Sequence, residues 1–280
     1  MVAIFGRNGE GRLCNASDGA VIRPLTGLRT ASADCTFTED GQRVVGGDSE
    51  GRVVVWRVAD GSVERVLQAT GRELFRLLRL KGDLIAVAQR TANVPVWDAA
   101  TGRPAFELSK SQGSNWCLAV SPDSAKLAVG FFQGVVEIWD LTSGTLDVSI
   151  DAHSRTVRHL AFSNDGRALA STAGDGPAKL WDAHTGLFLT RLGRESALPG
   201  VVGQPTNLVF LPGSDVFVTT FEDGRVEALD TDYFDRHIAG NLEHQLALHS
   251  AELGERVDAA AVREWGAKLR TGSTSARQQP

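Results

Sequence analysis

Short apolar runs alternate with polar turns along most of the chain, and the same order of runs and turns returns at a nearly fixed interval. We take as the anchor of each unit the residue that ends its third apolar run. The anchors are Cys14, Trp56, Trp97, Trp139, Trp181 and Leu229, which lie 42, 41, 42, 42 and 48 residues apart. A period of this length is typical of repeat architectures in which each unit is one supersecondary element. The pattern therefore predicts six structural repeats.

Each complete unit contains four predicted strands. In the unit of Trp139 the apolar runs are LAVS, KLAVG, VEIW and LDVSI, and the turn formers SPDS separate the first two. Such runs, bounded by turn residues, indicate short strands. Four short antiparallel strands cannot bury both faces alone, but sheets packed face to face around an axis can. We therefore predict an all-β fold, a β-propeller of about six blades whose first and last blades are incomplete.

The residues that follow each anchor predict a tight turn. Aspartate follows three of the tryptophans, at Asp98, Asp140 and Asp182, and glycine comes four residues later. An aspartate side chain accepts hydrogen bonds from nearby turn amides, and glycine tolerates positive φ. The tryptophans are expected to fill the space between neighbouring sheets. Pro95 lacks an N–H donor inside the third anchor run, so the pattern also predicts a distorted strand ladder in that blade.

With these features the chain resembles the WD-repeat family over roughly residues 1–230. The resemblance is best in HSRTVRHLAFSNDGRALASTAGDGPAKLWDAHTG, residues 153–186. It implies a structural hydrogen-bonded network within that repeat, made of His153, Ser171, Asp175 and Trp181. In the preceding repeat Ser111, Val129 and Gln133 stand at the first three places, so the network is not expected there.

The C-terminal part of the chain has a different period. Phe234, Ile238, Leu242 and Leu246 recur every four residues, which predicts an amphipathic helix, and a second helix is expected behind Asp258. We therefore predict a propeller over residues 1–230, a helical segment over 231–270 and a disordered tail over 271–280. The first helix is expected to dock against the last blade and to bury Phe234 and Ile238.

The first apolar run, MVAIFG, matches the second strands of later repeats, so the first blade is expected to lack its first strand. That leaves an edge of unpaired backbone groups, which proteins usually cover. Three solutions are open: an extension upstream of Met1, which we favour, the C-terminal helices, or a strand from a second chain. The family resemblance implies that an upstream signalling domain is one such extension.

Charge and composition exclude several classes of protein. The formal net charge is −5 and no block of lysine or arginine stands out, which argues against a nucleic-acid partner. No apolar run approaches the roughly 20 residues of a membrane helix, so no membrane association is expected and we predict a cytoplasmic protein. The excess of arginine over lysine favours a bacterial source. Cys14, Cys35 and Cys117 are widely spaced and are predicted to be free core thiols.

No catalytic, metal-binding or cofactor-binding motif is present in the sequence, so no enzyme activity, metal or cofactor is predicted. His153, Ser171 and Asp175 include the residue types of a hydrolytic triad, but Ser171 lies inside a predicted strand, where a nucleophile would not be exposed. The alternative is a propeller hydrolase or lyase with its site at the central channel. That alternative requires several carboxylates and histidines with shifted pKa values at the channel.

We predict a non-catalytic scaffold that binds a protein or peptide. In a propeller the loops that enter the first strands and the turns between second and third strands share one face. Large side chains there are the candidate partner surface: Arg72, Asn115, Trp116, Phe131, Phe132, Gln133, Arg155 and Arg158. Aromatic residues and arginine dominate binding hot spots. The open alternative is that Trp116 and one of the two phenylalanines pack between blades.

Overall fold

The computed structural model describes residues 1–6, 8–68, 73–108, 113–192, 205–211, 216–221 and 224–230. Within these ranges the chain forms 22 strands in six antiparallel sheets and a single 3-10 turn at Lys81–Asp83. Four sheets contain four strands and the first and last contain three, and the strands of each sheet lie side by side in chain order. The predicted β-propeller with four complete and two partial blades is confirmed.

We number the sheets as blades 1 to 6. Blade 1 contains β1 (Val2–Phe5), β2 (Gly11–Cys14) and β3 (Val21–Leu25), and blade 2 contains β4 (Ser32–Phe37), β5 (Arg43–Asp48), β6 (Arg52–Arg57) and β7 (Val63–Gln68). Blade 3 contains β8 (Leu74–Arg79), β9 (Leu84–Gln89), β10 (Val94–Asp98) and β11 (Pro104–Leu108). Blade 4 contains β12 (Asn115–Val120), β13 (Lys126–Phe131), β14 (Val135–Asp140) and β15 (Thr145–Asp151). Blade 5 contains β16 (Val157–Phe162), β17 (Ala168–Ala173), β18 (Ala178–Asp182) and β19 (Phe188–Leu192), and blade 6 contains β20 (Pro205–Phe210), β21 (Val216–Phe221) and β22 (Val226–Asp230).

The strand register shows that the six anchors are structurally equivalent. Trp139 pairs with Leu127 and Trp181 with Leu169, twelve residues earlier in both cases. Cys14 pairs with Val2 at the same separation. Strand β1 therefore occupies the place of a second strand, as the sequence pattern predicts.

Each tryptophan anchor packs against the preceding blade. Trp56 shares a core cluster with Leu13 and Leu25 of blade 1, and Trp139 shares one with Ala86 and Ala88 of blade 3. Burying these large rings between neighbouring sheets gives each interface much of its apolar area. The hydrophobic core is therefore divided among the spaces between blades, as expected.

The turns after the anchors also have the predicted form. The Asp140 carboxylate accepts hydrogen bonds from the amides of Thr142 and Ser143, at 2.9 and 2.8 Å. Gly144 then adopts φ 69° and donates its N–H to the Asp140 carbonyl. The Asp98 and Asp182 carboxylates accept the corresponding amide hydrogen bonds in blades 3 and 5.

Blade 3 is irregular at Pro95. The ladder between β9 and β10 covers only Val96, Trp97 and Asp98, so it begins after the proline. The Trp97 Nε1 atom is buried and has no hydrogen-bond partner. The predicted distortion of this blade is confirmed.

The first and last blades each expose one apolar sheet face. In blade 6 the side chains of Phe210 and Phe217 pack onto blade 5, whereas Val209, Leu211 and Val226 lie on the opposite face, with Val226 65% exposed. Blade 1 likewise leaves Ile4 55% exposed. The predicted helical segment over 231–270, the tail over 271–280 and the proposed burial of Phe234 and Ile238 lie outside the described residues.

The cysteines are free thiols, as predicted. Cys14 and Cys117 are buried and Cys35 is half-buried. Burial, followed by the charge of Asp34, raises the pKa of Cys35 to about 11, and burial raises that of Cys117 to about 12. Both thiols are therefore protonated and unreactive at neutral pH.

Among the described residues, no helix has both the length and the apolar character needed to cross a membrane.

Candidate functional site

The first strands of blades 2 to 6 all begin with a β-bulge at the same position. The ladder shifts by one residue between Leu74 and Arg76 in β8 and between Asn115 and Cys117 in β12. The bulged residues of the five strands are Ala33, Phe75, Trp116, Arg158 and Thr206. All five are at least partly exposed. A bulge redirects a side chain relative to the regular alternation of a strand. We call this end of the blades, where the first strands begin, the mouth.

Three aromatic side chains form a cluster at the mouth. The Trp116 ring lies 4.4 Å from the Phe75 ring and 4.9 Å from the Phe132 ring between centroids, and Phe75 and Phe132 are 5.7 Å apart. All three are partly exposed. The structure thus brings together two predicted surface residues, Trp116 and Phe132, and adds Phe75. We call these three residues the aromatic cluster.

A pocket lies beside the aromatic cluster, between blades 4 and 5. Its volume is about 300 Å³ and its lining residues are Phe132, Arg155, Thr156, Arg158 and Gly174. Phe132 follows β13, Arg155 and Thr156 precede β16, and Gly174 follows β17, so the pocket is made where the ends of two blades meet. Three of its five residues belong to the predicted surface.

Two of the predicted surface residues are buried, and for them the prediction is wrong. Asn115 is 0% exposed, because its Oδ1 accepts the amide of Gln89 and its Nδ2 donates to the carbonyls of Thr91 and Asn93. Phe131 is 2% exposed and packs in the core between blades 3 and 4. The alternative that one of the two phenylalanines and Trp116 pack between blades thus holds for Phe131 and in part for Trp116, whose half-buried ring packs against the core of blades 4 and 5.

Two further residues, Gln133 and Arg72, belong to the predicted surface. Gln133 is exposed in the turn after β13. Arg72 lies outside the described residues.

His153, Ser171, Asp175 and Trp181 form one chain of hydrogen bonds. The His153 Nδ1 atom lies 2.7 Å from Asp175 Oδ1, and Nε2 lies 2.7 Å from Ser171 Oγ. Trp181 Nε1 donates to the same Ser171 Oγ at 2.8 Å, and the Ser154 amide donates to Asp175 at 2.8 Å. The chain joins the loop before β16 to β17 and β18, so it ties three parts of blade 5 together.

Burial and hydrogen bonding together determine the protonation states of His153 and Asp175. Burial lowers the pKa of His153 more than Asp175 raises it, so the ring is neutral at neutral pH. Burial would raise the pKa of Asp175, but the Ser154 amide and the His153 ring hold it below its usual range. A neutral ring donates from Nδ1 to the carboxylate and accepts the Ser171 hydroxyl at Nε2. Ser171 is fully buried, so its hydroxyl is not accessible to a substrate.

Charged side chains of both signs lie on the first strands at the mouth. Burial first, and then the charges of Arg76 and Arg158, lower the pKa of His159 to about 4. Asp34 forms an ion pair with Arg76, at 3.6 Å between Oδ2 and Nε. His159 is the residue after the bulged Arg158, and of the two arginines that lower its pKa only Arg158 lines the pocket.

Acidification should destabilise the protein through the titration of His159. The pKa of His159 is lower in the folded than in the unfolded state, so between pH 6.5 and about 4 only the unfolded state binds the proton. Stability is therefore lost as pH falls through this window. We expect a loss of about 1 kcal/mol from His159, well below the full shift, because solvent screens a partly exposed group.

Urea unfolding at pH 7.5 and 4.5 measures this effect, and His159→Gln should reduce it. The matched control is His184→Gln, because His184 is exposed in the turn after β18. An equal pH dependence in wild type and His159→Gln would contradict the assignment.

The fold is a repeat β-propeller, because its blades have equivalent anchors and share one bulge. Large side chains are exposed at its mouth. Residues 144–182 match the family model of the WD domain, G-beta repeat. The WD repeat-containing protein SL1-17 of Schistosoma mansoni is 25% identical over 111 residues, which are 37% of this chain and 37% of that relative. Both matches support the WD-repeat family, and the resemblance predicted from the sequence is confirmed. WD repeats generally mediate protein–protein interaction.

Sequence reasoning missed Phe75, although a signal for it exists. Phe75 precedes Trp97 by 22 residues and Trp116 precedes Trp139 by 23. Alignment on the anchors therefore pairs the two aromatic residues once a one-residue gap is placed in the shorter repeat. Thr156 and Gly174 carry no such signal, because they contribute to the pocket only where two blades meet.

Proposed function

We propose that the protein is a non-catalytic scaffold that binds a protein or peptide partner at the mouth of the propeller. The observation that carries this proposal is the aromatic cluster of Phe75, Trp116 and Phe132. Its three rings are in mutual contact yet remain partly exposed. Rigid aromatic side chains provide large contact areas at small entropic cost, and they are enriched at the centres of protein interfaces.

The shape of the mouth supports recognition of a side chain from a partner. The aromatic cluster adjoins the pocket between blades 4 and 5 through Phe132, which belongs to both. An apolar anchor next to a concave polar site is a common arrangement in interfaces. The mouth therefore offers both a contact surface and a recess for one projecting group.

The competing class, a propeller enzyme, has weaker support. Asp34 has a pKa raised by burial, and His159 has a lowered one, and both lie on first strands at the mouth. The Asp34 carboxylate, however, accepts the amides of Leu77 and Cys35. Within the described residues neither group is hydrogen-bonded to a hydroxyl or thiol nucleophile, so no acid–base pair is assembled there.

The proposal predicts that partner recovery depends on the aromatic cluster. We expect Trp116→Ala and Phe132→Ala each to reduce recovery of specific partners in a pull-down by about tenfold or more, as for typical interface hot spots. Leu187→Ala is the matched control, because Leu187 is 51% exposed but lies in the turn between β18 and β19, at the opposite end of the blades.

Phe132→Ala should retain the wild-type melting temperature to within a few degrees, whereas Trp116→Ala should lower it further, because the Trp116 ring also packs against the core cluster between blades 4 and 5. Partner recovery is therefore measured well below the melting temperature of both variants, which separates loss of binding from loss of folding. Unchanged partner recovery in both variants would remove the mouth as the binding surface.

A further inference from the structure

We infer that the pocket between blades 4 and 5 binds an anionic side chain of the peptide partner, with Arg155 and Arg158 as its cationic contacts. The inference rests on the proposed function and specifies the chemistry that the mouth recognises. Carboxylates and phosphates share this chemistry, so aspartate, glutamate or a phosphorylated residue of the partner are its possible sources.

The two arginines approach the pocket from different parts of blade 5. Arg155 lies in the loop before β16 and is exposed, and within the described part of the chain it forms no ion pair. Arg158 is the bulged residue of β16, so the bulge places it at the mouth instead of in the alternation of the strand. Two guanidinium groups around one recess can both contact the same anion, and planar guanidinium donors suit the oxygens of carboxylate and phosphate.

The surroundings of the pocket favour a negative ligand. The pKa of the neighbouring His159 is held near 4 by burial and by Arg76 and Arg158, so this ring stays neutral while the arginines provide positive charge. The adjacent carboxylate, Asp175, is occupied by the His153 ring and the Ser154 amide. On a chain of net charge −5, the described residues that line this pocket thus include two arginines and no carboxylate.

The recess is large enough for a single side chain. A volume of about 300 Å³ lies at the lower end of the range for small-molecule sites, about 300–1,000 Å³. The Phe132 ring forms one wall and belongs to the aromatic cluster as well. The expected ligand is therefore an acidic or phosphorylated residue next to an apolar or aromatic one.

The test begins with random peptides displayed on phage and selected against the full chain. The strongest selected peptide is then synthesised in four forms, with glutamate, glutamine, phosphoserine or serine at its acidic position. Fluorescence anisotropy measures the affinity of each form for wild type, Arg155→Ala and Arg158→Gln. Arg103→Ala is the matched control, since exposed Arg103 lies in the turn between β10 and β11, at the opposite end of the blades.

We expect the glutamate or phosphoserine form to bind about tenfold more tightly than its neutral counterpart, the difference typical of charge-assisted hydrogen bonds. The comparison of these two forms identifies which anion the pocket prefers. Arg155→Ala and Arg158→Gln should each reduce the difference, with Arg155→Ala removing most of it. Arg103→Ala should preserve the difference, and added salt should reduce it. Because Arg155 is exposed, its removal should not unfold the protein, and a thermal melt of each variant checks this.

Selection of no acidic peptide, equal binding of charged and neutral forms, or an undiminished difference in Arg155→Ala would overturn the inference. The proposed function is tested separately by the aromatic variants. If peptide binding requires Trp116 and Phe132 of the protein but not the acidic residue of the peptide, the scaffold proposal stays intact and the anion site alone is refuted.

Discussion

Replacing Gly134 by alanine is expected to destabilise the protein by about 3 kcal/mol or more, enough to threaten folding of a marginally stable domain. Gly134 adopts φ 88° in the turn between β13 and β14, a conformation that costs other residues about 1–2 kcal/mol. A Cβ atom there would also overlap the His153 carbonyl oxygen. That backbone cannot move freely, because the amides of Ala152 and His153 both donate to the Gly134 carbonyl.

The matched control for this prediction is Gly144→Ala. Gly144 has a similar φ of 69°, but a Cβ atom there would meet nothing within 4 Å. The Gly144→Ala variant should therefore lose only the conformational part of the stability, about 1–2 kcal/mol. Urea unfolding of both variants measures the difference, and equal losses would show that the contact between the Gly134 turn and the His153 loop is not rigid.

Asp175→Ala is expected to destabilise the protein by about 1–3 kcal/mol, since it leaves three donors without their acceptor. These donors are the His153 ring at Nδ1, the Ser154 amide and the Ser154 hydroxyl. Without the carboxylate the tautomer of His153 is no longer fixed, so its bond to Ser171 weakens as well. Chemical denaturation monitored by circular dichroism provides the measurement.

Gln133→Ala is the control for this prediction, because Gln133 is the counterpart of Asp175 in the preceding repeat and is exposed. Its loss should be below about 0.5 kcal/mol. An Asp175→Ala variant with an unchanged unfolding midpoint would refute a stabilising role for the hydrogen-bonded chain.

The repeat architecture could be predicted from the sequence because it depends on local signals that recur. Trp139, Asp140 and Gly144 specify an interblade ring, a capped turn and a positive φ within six residues, and each signal acts through its own neighbours. The position of β1 as a second strand followed from the same pattern. These features need no knowledge of distant contacts.

The details of the mouth could not be predicted in the same way. A bulge interrupts the alternation of a strand, so a period of two does not tell which of Asn115 and Trp116 faces the core. Phe131 and Phe132 are adjacent and equally apolar, and only the end of β13 decides that the first is buried and the second lines the pocket. Asn115 is held by Gln89, Thr91 and Asn93 of the preceding blade, and the sequence does not reveal those partners.

The shared bulge also assigns binding and strand pairing to different residues. The bulged residue can contact a partner, and its paired neighbours hold the strands together. A bulged residue is left out of the strand ladder, so a change of its side chain removes no pair of the ladder. The five positions carry alanine, phenylalanine, tryptophan, arginine and threonine at the same register shift. New binding specificities could therefore arise in nature, or be engineered, one bulge at a time while the propeller framework stays the same.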